Sequence, residues 1–440
     1  MSRGAPRTAR RTVLTAARVL PGPAGEVIHD GAVLVEDTVI RAVGPRSEVD
    51  ALAGPDAERS GHPDGTILPG LVDGHVHLAF DAGPDPVATL AATGDDELYR
   101  AMAGRAAQLL ASGVTTVRDL GDRGGLAGRL RDAVAAGRAV GPRILSAGAP
   151  LTPPGGHCWF FGGEAQGGAQ IRDVVRRNLR LGADLIKVMA TGGHLTAGGA
   201  SMWESQYDVP DLALVVEEAH RAGRRVAAHA HGTDGVRAAV AAGVDTVEHC
   251  TLANADGFDA PDELARELAR KGIAVCTAIS ADWRNYAAKY GDRITGRLLG
   301  RIGWLEERGV RLVAGTDAGI PGAPFDDFVG SLELFEHLGF TPSRTIELAT
   351  VDTAAALGLA ERTGRIAPGL DADLLVVAGD PTRSVAALRD IELVVTRGTP
   401  HRPRSVPPQD AADQSRPRAR NSSAVAAVEV RSAVVSSTSR

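Results

Sequence analysis

Cysteine, lysine and aromatic residues are all scarce in this chain of 440 residues, and each scarcity excludes something. Only three cysteines occur, Cys158, Cys250 and Cys276, with no CxxC pair among them. So sparse and odd a set argues against a disulfide framework and fits a reducing, cytoplasmic setting. No run approaches the roughly 18–20 apolar residues of a membrane span. Arg10-Arg11 resembles a twin-arginine export signal, but Arg18 and Pro21 interrupt the apolar run behind it, so a short basic lead into a strand is expected. The formal charge is −6 and no basic stripe carries interleaved aromatics, which gives no sign of a nucleic-acid partner. GxSxG, GxGxxG and a Walker lysine are also missing, which removes the common serine-nucleophile and nucleotide-binding readings.

What is present has a regular order. Short apolar runs separated by Gly, Pro and Asp fill residues 12–48 and return at 372–380 and 392–398, as expected of strands. A small β-sandwich is expected from residues 1–68 together with 363–402. Between them lie eight candidate strands, beginning with "ILPGLVDGHVHL", "VTTVRDL", "PRILSAG" and "DLIKVMA" and continuing with "RRVAAHA", "DTVEH", "IAVCTA" and "VRLVAGTD". An amphipathic, Ala/Leu/Arg/Glu-rich segment follows each, and many of these end at glycine, as in "RLGAD", "RAGRR" and "VAAGVD". Eight βα units over residues 69–362 predict an α/β fold of the (β/α)8 TIM-barrel type, with a doubly wound open sheet as the alternative. Residues 403–440 are rich in Pro, Ser, Arg and Ala and predict a disordered tail.

The chemistry gathers at the strand ends. In "DGHVHL" the i, i+2 spacing turns His75 and His77 to one face. His229, His249 and Asp317 fall near the ends of the fifth, sixth and eighth strands, where barrel side chains converge. Lys187 sits inside the apolar "DLIKVMATGG", in a chain with three lysines and 45 arginines. An ammonium would repel nearby cations, but a neutral lysine can add carbon dioxide, and the resulting carbamate has two oxygens with which to bridge them. Arginine cannot do this. Four histidines, an aspartate and a lysine so placed point to a metal centre, with zinc well suited to the donors.

Taken in order, "LPGLVDGHVHL", "IKVMATGG", "AHAHG", "EHC" and "GTDAG" resemble the strand ends of the amidohydrolase superfamily, binuclear type with a carboxylated lysine. The resemblance covers roughly residues 12–400 and points to the branch holding metal-dependent Xaa-Pro and Xaa-Arg dipeptidases (carboxypeptidases) and imidazolonepropionase-like enzymes. It implies that His75, His77 and Asp317 hold one divalent metal ion, probed most naturally as zinc, and that His229 and His249 hold a second. Carboxylated Lys187 would bridge the two. A shared water, acidified by both ions, would supply the attacking hydroxide, and Asp317 would move its proton to the leaving amine. His231 shares a face with His229 and is either a substrate contact or a hydrogen-bonded loop histidine.

Specificity is expected in the loops after the third, fourth and seventh strands. The first gathers His157, Trp159, Phe160, Phe161 and Glu164 in a chain with only 4% aromatics, which suggests a lid, an apolar subsite or plain loop packing. His157 also stands where the family often contacts the substrate's carboxyl end, and His194, Trp203 and Gln206 are further lining candidates. The expected substrate is a dipeptide, a peptide C-terminus or an N-acyl amino acid. Peptide tailoring in a biosynthetic pathway and a cyclic-amide hydrolase or deaminase are the alternatives, and Lys187 weighs against the last. A metal-free scaffold fits poorly with six filled positions. The resemblance also implies a homo-oligomer.

Overall fold

The computed structural model describes residues 9–402, so the expected tail and the first eight residues lie outside the described part. Four strands open the chain: β1 (Arg11–Val19), β2 (Ile28–Glu36), β3 (Val39–Pro45) and β4 (Glu58–Pro69). Next come β5 (Leu71–Val76), β6 (Val114–Asp119), β7 (Arg143–Ser146), β8 (Leu185–Met189) and β9 (Arg225–Gly232). β10 (Thr246–Asn254), β11 (Gly257–Phe258), β12 (Ala274–Cys276) and β13 (Leu312–Val313) follow, and β14 (Leu374–Val377), β15 (Ile391–Thr396) and β16 (Thr399–His401) close the described chain.

All eight expected central strands form, as β5 to β10, β12 and β13. β5 to β8, β12 and β13 are shorter than the apolar runs that announced them, whereas β9 and β10 extend past theirs through the histidines at their ends. β5, β6 and β7 make one parallel sheet, and β8, β9, β10, β12 and β13 make another, with β11 a short antiparallel appendage on β10. Two isolated parallel bridges, Val76 with Ala318 and Leu151 with Val188, connect these sheets at both edges. The core strands are buried on both faces, which is why they read as nearly unbroken apolar runs.

The helices between them follow the expected physics. In Asp95–Ala111 the acidic Asp95, Asp96 and Glu97 fill the first turn, where the macrodipole favours them. Leu98, Met102, Ala106, Leu109 and Leu110 form its buried stripe at helical spacing. Helix Thr233–Ala242 ends at Gly243 with φ of 83°, a left-handed position that glycine occupies without steric cost.

Strands from both chain ends share one seven-stranded sheet in the order β16-β15-β14-β4-β1-β2-β3. Alternation splits its residues between two apolar clusters. Leu14, Val33 and Val35 pack with Leu374, Val376, Leu393 and Val395, whereas Val13, Ala32 and Leu34 pack against Val49 and Ala53 of the helix Arg46–Ala53. No helix among the described residues is long and apolar enough to cross a membrane.

Candidate metal centre

Because the central strands are parallel, their C-terminal ends bring residues far apart in sequence to one place. At the end of β5, His75 Nε2 lies 3.3 Å from His77 Nε2. Asp317 Oδ1 lies 3.3 Å from both of these nitrogens. The backbone fixes the meeting: Asp317 N donates to His75 O at 2.8 Å, and His77 N donates to Ala318 O at 2.8 Å. Asp317 itself holds left-handed backbone, with φ of 59°, a strained conformation for a non-glycine residue and one common at functional sites. Asp317 Oδ1 makes no proper hydrogen bond despite its two neighbours, and the buried His77 Nδ1 has no partner either. Three donor atoms, one from each of His75, His77 and Asp317, converge here as a cation would need them.

A second group stands beside the first. The donor nitrogens of His229, His231 and His249 lie within 4.8 Å of one another. The His231 and His249 rings stack at 4.4 Å, and His229 packs edge-on to His249 at 4.7 Å. His231 Nδ1 pairs with Thr251 Oγ1 at 3.2 Å, so the hydrogen-bonded reading of this residue is present in the geometry, and so is proximity to the cluster. His229 Nε2 lies 3.0 Å from Gly192 O, a contact that cation binding through this nitrogen would have to release. Burial holds the pKa values of His229, His231 and His249 well below the ordinary imidazole value, with neighbouring histidines adding to the effect, so all three are neutral donors.

Lys187 is buried in β8, and its Nζ has no hydrogen-bond partner. Burial lowers its pKa, although the Glu248 and Asp317 carboxylates act against the shift. Its charge would bear on His75 and His77 in one group and on His229 and His249 in the other. An unpartnered ammonium here would be costly, so a neutral amine is the form the surroundings favour.

Several supporting residues were not legible in the sequence. Glu248 Oε2 accepts from His75 Nδ1 at 2.9 Å, which leaves Nε2 as the donor facing Asp317. Arg118 Nη2 donates to Glu248 Oε1 at 2.8 Å, and Thr246 Oγ1 donates to the same oxygen at 2.5 Å. Burial would raise the Glu248 carboxyl, but Arg118 and His75 outweigh it and hold it well below the usual carboxylate range. For His75 burial likewise works against protonation, yet Asp317 and Glu248 raise its pKa, so the metal-free centre favours a proton there that a cation would displace. Asp73 accepts from Thr316 Oγ1 at 2.7 Å and from His75 N at 3.1 Å, tying the two strand ends together from below. Its place in "DGHVH" was the available signal. Replacing Glu248 with glutamine is expected to lower metal affinity at the His75 group by about 10–100-fold, measured by competition with a chromogenic chelator.

Asp119 and Asp122 lie just beyond, both buried at the end of β6. Asp119 Oδ2 accepts from Leu78 N at 2.8 Å, and Asp122 Oδ2 accepts from Ala127 N at 2.5 Å. Burial pushes Asp122 up from 3.8 to about 7. Between these values the folded chain keeps a proton that the unfolded chain has lost, so this group destabilises the fold as pH rises and levels off above about 7. Asp122→Asn should therefore melt higher than the parent, by a margin that widens from pH 4 to 7 and then stays flat, as read by calorimetry across that range.

The substrate candidates divide. His157 reaches the cluster: its ring lies 4.6 Å from that of His229, and its Nδ1 is 3.2 Å from Thr196 Oγ1. Gly193 packs so closely that a Cβ there would sit 2.6 Å from the His157 ring, which explains the glycine in "ATGGH". Trp159 is 46% exposed, and it begins an aromatic series through Phe160, Phe161 and Phe80 that ends on His77. His194 and Trp203 are exposed. Gln206 and Glu164 instead brace backbone, Gln206 Nε2 donating to Met189 O at 3.0 Å and Glu164 Oε1 accepting from Gly155 N at 2.8 Å. A cavity of about 220 Å³ against the seven-stranded sheet, lined by Arg10, Ser60 and Pro400, shares no residue with this centre, so the site is located by its donors and not by cavity size.

Residues 66–400 match the model of the amidohydrolase family. The chain belongs to that family. This amidohydrolase is accordingly a hydrolase acting on carbon–nitrogen bonds. It is 27% identical to the ochratoxinase of Aspergillus niger over 431 residues, covering 88% of this chain and 85% of that one. It is 29% identical to the imidazolonepropionase of Salinispora tropica, covering 81% and 87%. Among solved structures, a Xaa-Pro dipeptidase with methionine bound in its active site superimposes with a TM-score of 0.77 at 26% identity, covering 89% of this amidohydrolase and all of that chain.

Proposed function

We propose that this amidohydrolase is a binuclear metal-dependent enzyme that cleaves the amide bond of a dipeptide, a peptide C-terminus or an N-acyl amino acid. The observation that carries this reading is Lys187: a buried, unpartnered Nζ within electrostatic reach of both donor groups. His75, His77 and Asp317 would hold one cation, and His229 and His249 the other. The Lys187 amine would attack carbon dioxide, forming a C–N bond and releasing one proton to solvent, and the anionic carbamate would serve both. The same reading closes the eight central strands into a barrel, supported by the Val76–Ala318 and Leu151–Val188 bridges at both seams, and treats the two-ended sheet as a folded sandwich around Leu14, Val35 and Leu393.

Two divalent ions held by these residues, zinc being suited to the donors, would supply an acidified water and charge stabilisation of the carbonyl oxygen. Asp317 would take the proton of the attacking water on the carboxylate oxygen that does not face the cation, and would deliver it to the departing amine nitrogen. The Glu248 contact keeps His75 in one tautomer throughout. His157 and Trp159 border the substrate, with His231 and His194 near the second group. The exposed Trp159 and the half-buried Phe160 favour an apolar group near the scissile bond.

The Xaa-Pro dipeptidase neighbour supports a peptide amide as substrate, while the imidazolonepropionase relative supports a cyclic one. Protein prepared with bicarbonate should carry two divalent ions per chain and release amine from members of a dipeptide and N-acyl-amino-acid library. Turnover confined to cyclic amides would favour the second reading, and a single bound ion would remove the bridged centre.

A further inference from the structure

β10 pairs with β9 residue by residue from Thr246 to His249, then next at Ala253 opposite Gly232. Across that interruption His249, Cys250 and Leu252 hold left-handed backbone, with φ of 69°, 48° and 56°. None is glycine, and all are buried, so the segment is strained and its carbonyls have left the ladder without reaching water.

Leu252 O accepts from Asp259 N at 2.8 Å, and one side chain collects the other two. Arg301, on the helix Asp292–Glu307, donates from Nη2 to His249 O at 3.0 Å and from Nε to Cys250 O at 3.2 Å. Nη2 also reaches Thr277 O, just past β12, at 3.5 Å, and Nη1 donates to Leu298 O of its own helix. The guanidinium is buried, and its partners among the described residues are carbonyls, not carboxylates. Burial lowers it to about 10, which leaves it charged at neutral pH. A planar fork can span carbonyls on adjacent strand ends, and a single ammonium cannot.

We propose that Arg301 is a positioning residue that holds the irregular end of β10 and thereby aims the His249 imidazole at the second metal subsite. This rests on the binuclear reading above. The His75 group makes no direct contact with Arg301 and serves as an internal control.

The experiment strips wild type, Arg301→Met and Arg301→Lys with chelator and titrates each with cobalt(II) in bicarbonate, reading stoichiometry, affinity and visible absorption. Wild type should bind two ions. Arg301→Met should keep one at wild-type affinity and lose about 10–100-fold at the other, with altered absorption, and Arg301→Lys should recover part of that loss. Two ions bound by Arg301→Met with wild-type affinity and spectrum would overturn the proposal alone. Equal weakening of both subsites in Arg301→Lys, or failure of both variants to fold, would also overturn it by marking a general core strut. A wild type that binds one ion would instead overturn the binuclear reading, and this proposal with it.

Discussion

Lys187→Ala should leave a folded protein that has lost the bridging ligand, at least one bound ion and roughly 10³-fold or more of its turnover. The physical reason is specific to this position. Lys187 is enclosed within β8, and its Nζ has no partner to lose, so removal breaks no hydrogen bond and relieves a desolvated amine. If the residue were only a core filler, the variant would show a cavity cost in stability and unchanged metal content. If it carries the carbamate, metal content and rate fall together, in addition to the cavity cost that truncation of this buried side chain brings under either reading. Lys187→Arg discriminates further, since a guanidinium fills the space with a fixed positive charge and forms no carbamate. Restored activity of the alanine variant with a short carboxylic acid added to the buffer would identify the missing group as an anionic bridge. Wild-type mass should also rise by one carbon dioxide under native, bicarbonate-containing conditions.

Asp317→Asn is expected to cost about 10²–10⁴-fold in kcat as a lost proton carrier, with more if metal is also weakened. Burial alone would raise this carboxyl, yet His75, His77 and His249 hold it well below the ordinary carboxylate range. It is therefore ionised across the working pH range. The wild-type rate should show no carboxylate limb above roughly pH 5, and any acid limb there should follow metal loss as imidazoles protonate. Metal analysis at each pH, run beside the rate profile, checks this. A rate limb with constant metal content would count against Asp317 as the base. Asparagine is close in size, so the left-handed backbone at this position is preserved and a folding defect is not expected.

The reach of local pattern is visible in these two residues. His75 and His77 were legible because a strand's two-residue period is a local property, and "GHVH" states it directly. Asp317 was legible as a strand-end aspartate, and Lys187 through its contrast with apolar neighbours in a lysine-poor chain. Glu248 was hidden because it alternates with His249 and reads as an ordinary polar strand residue; its contact with His75 spans 173 positions. Arg301 gave no signal at all, being one arginine among 45 on a helix whose inward register only packing reveals. His157 and Trp159 fall two residues apart in one aromatic loop, yet one packs on His229 and the other faces solvent.

By itself, then, the sequence determined the order of strands and helices, the residue types able to hold cations and the family to which they point, because periodicity, turn chemistry and donor chemistry are local. Only the tertiary structure decided which donors meet within 3.3 Å, which imidazole tautomer Glu248 sets and which carbonyls Arg301 satisfies. Those outcomes depend on how parallel strands from distant segments align their ends and bury them together, and no single segment carries that information.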